Sequence, residues 1–285
     1  MAPFRALTPV MMLLSASVIA PLNAFAEADP LLSQVIAGDW RGAEQKSRDA
    51  VRKPAEALEF WGLKPGMSIL EVGPGAQAWW TEILAPYMAR SGGRYTATAP
   101  NIYSPTISVR ALQARMAFEF HYLNPAVYGK VNLVNWGTDA APLAPNQFDW
   151  VMLARGFHNF MGQGVTEKYL HELFVSLKPG GIVAIEQHRA NPGVQDPKAP
   201  AGYVTEAYLI EAMERAGFKL DARSEINANP RDTKDHPFGV WTLPPTRTSV
   251  AMGSGKPPDP NFDHSKYDAI GESDRMTLRF IKPAG

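Results

Sequence analysis

The stretch at residues 68–77 (SILEVGPGAQ) constrains the fold of this chain more than any other. A short apolar run ends at Glu71, a Gly-x-Gly turn follows at Gly73 and Gly75, and a helical pattern begins at once. Apolar residues then recur at the i, i+3, i+4, i+7 spacing of a helix with one buried face: Ala76, Trp79, Trp80, Ile83, Leu84 and Tyr87. In a strand–turn–helix unit, glycine lets a nucleotide-type ligand approach the backbone and the N–H groups of the helix start. Alternatively, the two glycines only shape a tight turn.

Downstream of the turn, strand and helix patterns alternate. Further strands are predicted at residues 94–99, 131–135, 148–153 and 182–186. Helices are predicted at residues 77–90, 104–120, 166–177 and 205–216. Pro86 should kink the first of these helices or interrupt its hydrogen bonding near Glu82. The alternation predicts an α/β fold with a doubly wound, mostly parallel sheet, in which ligands bind at the carboxyl ends of the strands.

The first 26 residues have the pattern of a secretory signal peptide. Arg5 supplies the positive charge, residues 10–20 form a short apolar core, and residues 24–26 (AFA) offer the small side chains of a cleavage site. We therefore expect a mature chain that starts at Glu27, a periplasmic or secreted location, and no stable membrane association after cleavage. An uncleaved anchor or a misassigned start codon is the alternative.

The remaining chain divides at its breaks in pattern. Residues 27–62 form a predicted helical segment, and residues 63–226 form the predicted core. Residues 227–272 are rich in proline, asparagine, aspartate and glycine, so they are predicted to form a long loop or a lid. The loop at residues 189–204 is a second candidate cover, because it directly follows a predicted strand.

Composition excludes several classes of function. Lys+Arg 28 balances Asp+Glu 28, so no global positive field favours nucleic acid as a partner. The chain has no cysteine, which excludes disulfides, thiolate metal sites and cysteine nucleophiles. Four scattered histidines show no metal-ligand spacing, so no metal site is predicted: His121, His171, His236 and His264. The alternative is that His158, His188 and a carboxylate meet in space.

At this point the chain resembles the class I S-adenosylmethionine-dependent methyltransferases. The motifs that carry the resemblance, in order, are residues 71–75 (EVGPG), 137–140 (GTDA), 148–151 (FDWV), 177–181 (LKPGG) and 216–218 (AGF). Two further motifs and the signal peptide resemble a predicted exported bacterial branch of that family: residues 155–160 (RGFHNF) and 271–275 (GESDR).

The resemblance implies a fold, a cofactor and a class of substrate. The fold is the Rossmann-like class I methyltransferase architecture, whose antiparallel last strand falls in residues 273–285. The cofactor is S-adenosylmethionine, and the implied substrate is a small-molecule acceptor. The residues implied to hold the cofactor are Glu71, Gly73, Gly75, Asn101 and Asp139.

Two positions depart from the family pattern. Gln77 stands where the family usually has a third glycine, so the turn has to tolerate a side chain. The family usually ends its second strand with an acidic residue that binds the ribose hydroxyls, whereas this chain has Asn101 there. An amide binds a hydroxyl less strongly than a carboxylate does.

Methyl transfer requires alignment of donor and acceptor and, for some acceptors, removal of a proton. His158 and His188 follow the fourth and fifth strands, and histidine titrates near neutrality, so both are candidate general bases, with His158 preferred. Arg155 and Asn159 flank His158 and are candidates to orient a polar substrate. The alternative for each histidine is a hydrogen-bonded position at the rim of the site.

Two other functions remain open. An exported binding protein with this fold could have lost cofactor use, which would agree with the missing acidic residue near Asn101. A dehydrogenase is the second alternative, although Ala78 replaces the final glycine of its usual G-x-G-x-x-G motif. The sequence predicts neither the acceptor nor the oligomeric state.

Overall fold

The computed structural model describes residues 29–284, and the predicted signal peptide lies outside them. The strands in this part are β1 (Ser68–Glu71), β2 (Arg94–Pro100), β3 (Val131–Trp136), β4 (Phe148–Ala154), β5 (Leu177–His188), β6 (Lys219–Ser224) and β7 (Arg275–Ile281). They form one sheet in the order β3-β2-β1-β4-β5-β7-β6. β1 to β5 pair in parallel, whereas β7 runs antiparallel to β5 and β6. The predicted doubly wound α/β sheet with an antiparallel last strand is confirmed.

Helices cover both faces of the sheet. They are α1 (Pro30–Ile36), α2 (Ala43–Lys46), α3 (Asp49–Arg52), α4 (Pro54–Phe60), α5 (Thr81–Ser91), α6 (Val109–His121), α7 (Pro125–Tyr128), α8 (Phe157–Gln163), α9 (Thr166–Ser176), α10 (Glu206–Arg215) and α11 (Ser265–Ile270). One core lies under α1, α4 and α5 and contains Trp61 and Trp80. The other lies under α8, α9 and α10 and contains Phe157 and Leu173. Burial on both faces explains the near-continuous apolar character of β4.

Two predicted helix starts are wrong. The helix expected from Gln77 begins at Thr81, because the preceding turn continues through Ala78, whose φ is +40°. The helix expected from Ser104 begins at Val109. There Ser108 is the N-cap, and its side chain accepts a hydrogen bond from the Ala111 N–H at 3.1 Å.

The region around the fifth and sixth strands also differs from the prediction. β5 begins at Leu177, five residues before the predicted start at residue 182, since Gly180 and Gly181 exchange backbone hydrogen bonds with Lys282 after β7. β6 was not predicted. It lies at the edge of the sheet, and its alternating exposed positions (KLDARS) lack the apolar run of a buried strand.

Pro86 interrupts the hydrogen bonding of α5 at the predicted place. Pro86 has no N–H to donate to the carbonyl of Glu82, four residues earlier. The indole Nε1–H of Trp40 donates to that carbonyl instead, at 3.0 Å. Trp40, in the N-terminal segment, therefore supplies the hydrogen bond that α5 lacks at Pro86.

The site edge of the sheet follows from its topology. Strand order reverses between β1 and β4, which are direct neighbours. The carboxyl ends of these strands carry the glycine turn on one side and residues 155–160 on the other. Open α/β sheets bind ligands at such a switch point.

The two predicted covers pack against each other beside this edge. The Val240 N–H donates to the carbonyl of Ala201 at 2.9 Å, which joins the Pro-rich segment to the loop at residues 189–204. A short 3₁₀ helix (Gly239–Thr242) then brings the Trp241 ring to 5.7 Å from the His158 ring. None of the helices in residues 29–284 is long and apolar enough to cross a bilayer.

Candidate functional site

The glycine turn forms one wall of a large cavity. Gly73 and Gly75 have φ of +56° and +74°, the left-handed region that favours glycine. The Gly73 N–H donates to the hydroxyl of Thr98 at the end of β2, at 2.9 Å. A Cβ built on either glycine would meet no atom within 4 Å. Both Cα atoms therefore face open space into which a ligand can approach the backbone.

That open space is a cavity of about 750 Å³ between the turn, the end of β2 and α6. Such a volume lies within the range of small-molecule and cofactor sites, about 300–1,000 Å³. The residues that line it are Glu44, Gln45, Arg48, residues 73–78, Glu82, residues 98–100, Ala114, Arg115, Ala117, Phe118, His121, Tyr122 and Leu133. Of the five predicted cofactor residues, Gly73 and Gly75 line the cavity.

α6 is held beside the cavity by a buried carboxylate. No residue within α6 is fully buried, although Phe118 packs against the core under α5. Glu82 of α5 accepts hydrogen bonds from the hydroxyls of Tyr122 and Tyr128 at 2.9 and 3.0 Å, and it pairs with His121 at 2.9 Å. The end of α6 and the following α7 are thereby tied to α5, and the cavity keeps its outer wall.

The turn accommodates two residues that are not glycine, Gln77 and Ala78. The Gln77 side chain is exposed, and its amide oxygen accepts a hydrogen bond from Arg48 in the N-terminal segment. The positive φ falls instead on Ala78, which is buried. Only glycine adopts this conformation without a steric penalty, so Ala78 marks the position where a third glycine would relax the turn.

Glu71 lies beneath the turn and does not line the cavity. Its carboxylate accepts hydrogen bonds from the hydroxyls of Thr81 and Tyr95, at 2.8 and 2.6 Å. Burial raises the pKa of Glu71 to about 7, despite these two hydrogen bonds. In this position Glu71 joins β1, α5 and β2 and sets the base of the turn.

Asn101 and Asp139 meet beyond the ends of β2 and β3. The Asn101 side-chain amide donates to the Asp139 carbonyl at 3.1 Å, and its oxygen accepts the Tyr103 N–H at 3.1 Å. A hydrogen bond from Ser104 lowers the pKa of the exposed Asp139 carboxyl. Neither residue lines the cavity. The structure therefore places these two predicted cofactor residues together, next to the cavity and not on its wall.

Gln187 fixes the tautomer of His158. Its amide oxygen accepts the Phe157 N–H at 3.2 Å, and its amide nitrogen donates to the Gly202 carbonyl at 3.0 Å. Because a backbone N–H can only donate and a carbonyl can only accept, these two partners fix which end of the Gln187 amide is oxygen and which is nitrogen. The same nitrogen lies 3.2 Å from His158 Nδ1, which must accept. The neutral ring therefore carries its proton on Nε2.

This arrangement makes His158 a hydrogen-bond donor at physiological pH. Burial, with a further contribution from the charge of Arg155, lowers the pKa of His158 to about 4. A neutral ring with its proton on Nε2 and Nδ1 occupied by Gln187 has no lone pair left for a substrate proton. The general-base role predicted for His158 would require loss of the Gln187 hydrogen bond.

His188 lies close by, with its ring centroid 5.7 Å from that of His158. Its Nδ1 is 2.6 Å from the hydroxyl of Ser273, just before β7. Burial and then the neighbouring His158 and Arg155 hold the pKa of His188 well below its ordinary value. The structure thus joins two distant sequence motifs, residues 155–160 and residues 271–275, at the end of β5. Asn159 is exposed and does not join this cluster.

Arg155 stands at the carboxyl end of β4 in a left-handed backbone conformation, with φ of +53°. Its N–H donates to the Glu186 carbonyl, and its guanidinium Nε lies 3.8 Å from the Glu186 carboxylate. Glu186 is paired more closely with Arg275. Within residues 29–284 no three metal-binding side chains come together in a way that could hold a metal ion.

Sequence reasoning missed three residues of this cluster. Gln187 was overlooked because a buried amide has no sequence signature of its own. Arg52 and Ser273 lie 103 positions before and 118 positions after Arg155, so only tertiary contact places them here. The available signal was the motif at residues 271–275, which contains Ser273 and Arg275.

Comparisons with known proteins agree on the fold. No protein-family model matches the chain, and no curated protein matches it in sequence. The [4+2]-cyclase SpnF is similar in structure, with 17% identity and a TM-score of 0.54 over 90% of this chain and 93% of the cyclase. A proposed sarcosine dimethylglycine methyltransferase from Galdieria sulphuraria gives 11% identity and a TM-score of 0.53 over 85% and 88% of the two chains. The chain has the Rossmann-like fold of the class I methyltransferases.

Proposed function

We propose that this protein transfers a methyl group from S-adenosylmethionine to a small-molecule acceptor. The observation that carries the proposal is the cavity of about 750 Å³ at the carboxyl ends of β1 and β2, walled by Gly73 and Gly75. Both glycines open into the cavity, so a ligand of cofactor size can contact the backbone. The fold and the position at the switch point support the same function.

Gly73, Gly75 and residues 98–100 would hold the cofactor. When bound, S-adenosylmethionine supplies a methyl group already activated by the sulfonium, so the protein has mainly to align donor and acceptor. His158 contributes an Nε2–H donor whose direction is fixed by Gln187. The Trp241 ring packs edge-on against the His158 ring, with their centroids 5.7 Å apart. In this proposal His158 positions the acceptor.

We also propose that the protein is exported. The support is the pattern of residues 1–26, with Arg5, a short apolar core and a small-residue cleavage site. N-terminal sequencing of protein from a fractionated native host tests this proposal. We expect a mature chain that starts at Glu27 in the periplasmic or secreted fraction. An intact Met1 in the cytoplasmic fraction would contradict it.

A second candidate is a protein of this fold that binds a ligand without methyl transfer. One observation favours it: the residues at the end of β2 that line the cavity are Thr98, Ala99 and Pro100, so none of them offers a carboxylate to ribose hydroxyls. The similarity to a [4+2]-cyclase is compatible with it, because a fold can host unrelated chemistry.

Isothermal titration calorimetry with S-adenosylmethionine and S-adenosylhomocysteine tests the proposed function. We expect saturable binding of both compounds with one site per chain. If neither compound produces a saturable signal up to millimolar concentration, the methyl-transfer proposal is wrong and the second candidate is favoured.

A further inference from the structure

We propose that the acceptor carries a carboxylate, and that Arg155 binds it at the carboxyl end of β4 with support from Arg52 and Arg275. This inference rests on the proposed methyl transfer in one respect, namely that the bound carboxylate belongs to the methyl acceptor. That Arg155 binds a carboxylate follows from the cluster itself.

The cluster joins four parts of the chain around two buried carboxylates. Arg52, from the N-terminal segment, donates from Nε to both oxygens of Glu272, at 3.1 and 3.0 Å. Arg275 of β7 pairs with Glu186 and lies 3.0 Å from Glu272. Arg155 is the outermost member, because its side chain is 25% exposed whereas those of Arg52 and Arg275 are 1% exposed.

The charges in this cluster do not balance. Burial opposes ionisation of Glu186 and Glu272, yet the surrounding arginines hold the pKa of each carboxyl below its ordinary value. Three guanidinium groups therefore share two carboxylates. Glu71 is the next carboxyl, and Thr81 and Tyr95 both donate to its Oε2. Although the charge of Arg155 favours its ionisation, burial raises the pKa of Glu71 to about 7, so below that pH it is protonated and does not offset the arginines. His158 and His188 are neutral, so one positive charge remains in excess.

Guanidinium nitrogens are also left without acceptors. Arg52 Nη1 and Nη2, Arg275 Nε and Arg155 Nε are buried and have no hydrogen-bond partner in residues 29–284. The Arg52 guanidinium stacks on the Trp79 ring at 4.7 Å, and this cation–π contact partly replaces the missing hydrogen bonds. Arg155 has no such ring and donates no side-chain hydrogen bond within the described chain, although buried donors are nearly always paired.

The backbone of Arg155 also points to a binding role. A non-glycine residue with φ of +53° is strained, and such strain persists at sites where a side chain has to be aimed. Here the guanidinium is partly exposed, its Nε lies 3.8 Å from the Glu186 carboxylate of β5, and its charge lowers the pKa of both His158 and His188. A planar guanidinium with free N–H groups matches a carboxylate, which accepts two parallel hydrogen bonds. A carboxylate would also neutralise the excess charge.

Thermal unfolding in different sodium salts at constant ionic strength tests the anion site. The probes are acetate, succinate and benzoate, each compared with chloride. In the parent protein we expect at least one carboxylate to raise the melting temperature in a saturable manner. Arg155→Gln keeps the Cβ and the backbone strain but removes the charge, so the rise should vanish. Arg247→Gln is the matched control, because Arg247 pairs with the exposed Asp268 elsewhere, and it should keep the rise.

No rise above that in chloride, or an equal rise in Arg155→Gln, would overturn the carboxylate site. These outcomes do not depend on cofactor binding, so failure of the methyl-transfer proposal would be seen separately, as absent binding of S-adenosylhomocysteine.

A second titration identifies the source of the carboxylate. S-adenosylhomocysteine has a carboxylate, and 5′-methylthioadenosine lacks it. If the site serves the acceptor, Arg155→Gln should bind both compounds as the parent does, within about twofold. If Arg155→Gln weakens S-adenosylhomocysteine at least tenfold and leaves 5′-methylthioadenosine unchanged, the cofactor occupies Arg155 and the acceptor assignment is wrong.

Discussion

The residues at the site edge of the sheet are distinguished by backbone conformation as much as by side chain. Gly73, Gly75, Ala78 and Arg155 all have positive φ. The two glycines adopt it without strain, while Ala78 and Arg155 do so at a cost of about 1–2 kcal/mol each. This conformation opens the turn toward the cavity and accompanies a guanidinium of Arg155 that lies beside the Glu186 carboxylate at the end of β5.

Gly75→Ala should weaken binding of S-adenosylhomocysteine about tenfold, because the added methyl group enters the cavity. It should also lower the free energy of unfolding by about 1–2 kcal/mol through the left-handed backbone. Gly92→Ala is a matched control, since Gly92 has the same φ of +74° and open space, but caps the far end of α5. Urea denaturation should show the same loss of stability in both variants, whereas calorimetry should show a loss of affinity in Gly75→Ala alone. Equal affinities would place the ligand elsewhere.

His158 should remain neutral down to about pH 5, with its proton on Nε2. Because the folded pKa of about 4 lies below the ordinary 6.5, this residue's contribution to stability is complete above pH 6.5 and is lost as the pH falls toward 4. The loss should reach about 3 kcal/mol and be absent in His158→Gln. Nitrogen-15 NMR of the imidazole checks the tautomer, and denaturation at several pH values checks the loss. A ring that titrates near pH 6.5 would instead support the general-base hypothesis.

Among the elements, α5 depends on the N-terminal segment. Its internal Pro86 leaves the Glu82 carbonyl without an intrahelical donor, and Trp40 supplies one. The side chain of Glu82 in turn holds α6 and α7. Glu82 therefore links the N-terminal segment to the outer wall of the cavity: its backbone carbonyl contacts Trp40, and its side chain holds α6 and α7.

A double-mutant cycle measures this link. Trp40→Phe removes the indole N–H and leaves a buried carbonyl unpaired, so it should lower the free energy of unfolding by about 1–3 kcal/mol. The Phe ring keeps a surface for Arg90, which stacks on Trp40. In a Pro86→Ala background the helix provides its own N–H, so Trp40→Phe should cost about 1 kcal/mol less. Additive effects in urea denaturation would show that Trp40 does not replace the missing donor.

For the whole molecule, buried ionisable groups beneath the site make stability depend on pH in opposite directions. The pKa of Glu71 is raised to about 7 by burial, whereas the pKa values of His158 and His188 are lowered. The stability from protonated Glu71 is complete below about pH 4.5 and is lost as the pH rises through 7. The histidines lose theirs as the pH falls. Because two histidines oppose one carboxyl, we expect the parent to lose stability on balance as the pH falls from 6.5 toward 4.5.

Glu71→Gln should remove the loss of stability that accompanies rising pH. Between pH 5 and pH 8 the parent should lose about 2–3 kcal/mol of unfolding free energy relative to this variant, because the variant has no carboxyl to ionise. Parallel urea denaturation of both proteins at the two pH values provides the comparison. Parallel pH curves for the two proteins would mean that Glu71 is already ionised in the folded state at pH 5.

The sequence alone determined the alternation of β1 to β5 with the longer helices, the parallel sheet, and the glycine turn with Gly73 and Gly75, but not β6 or α8. These features are encoded locally, in apolar periodicity and in residues whose backbone preferences act within a few positions. Only the tertiary structure decided that α5 starts at Thr81, that Glu71 lies beneath the turn, and that Gln187 fixes the His158 proton on Nε2. It alone brought Arg52 and Arg275 to Arg155. Burial, tautomer and charge balance depend on neighbours that lie far away along the chain, so no local pattern can specify them.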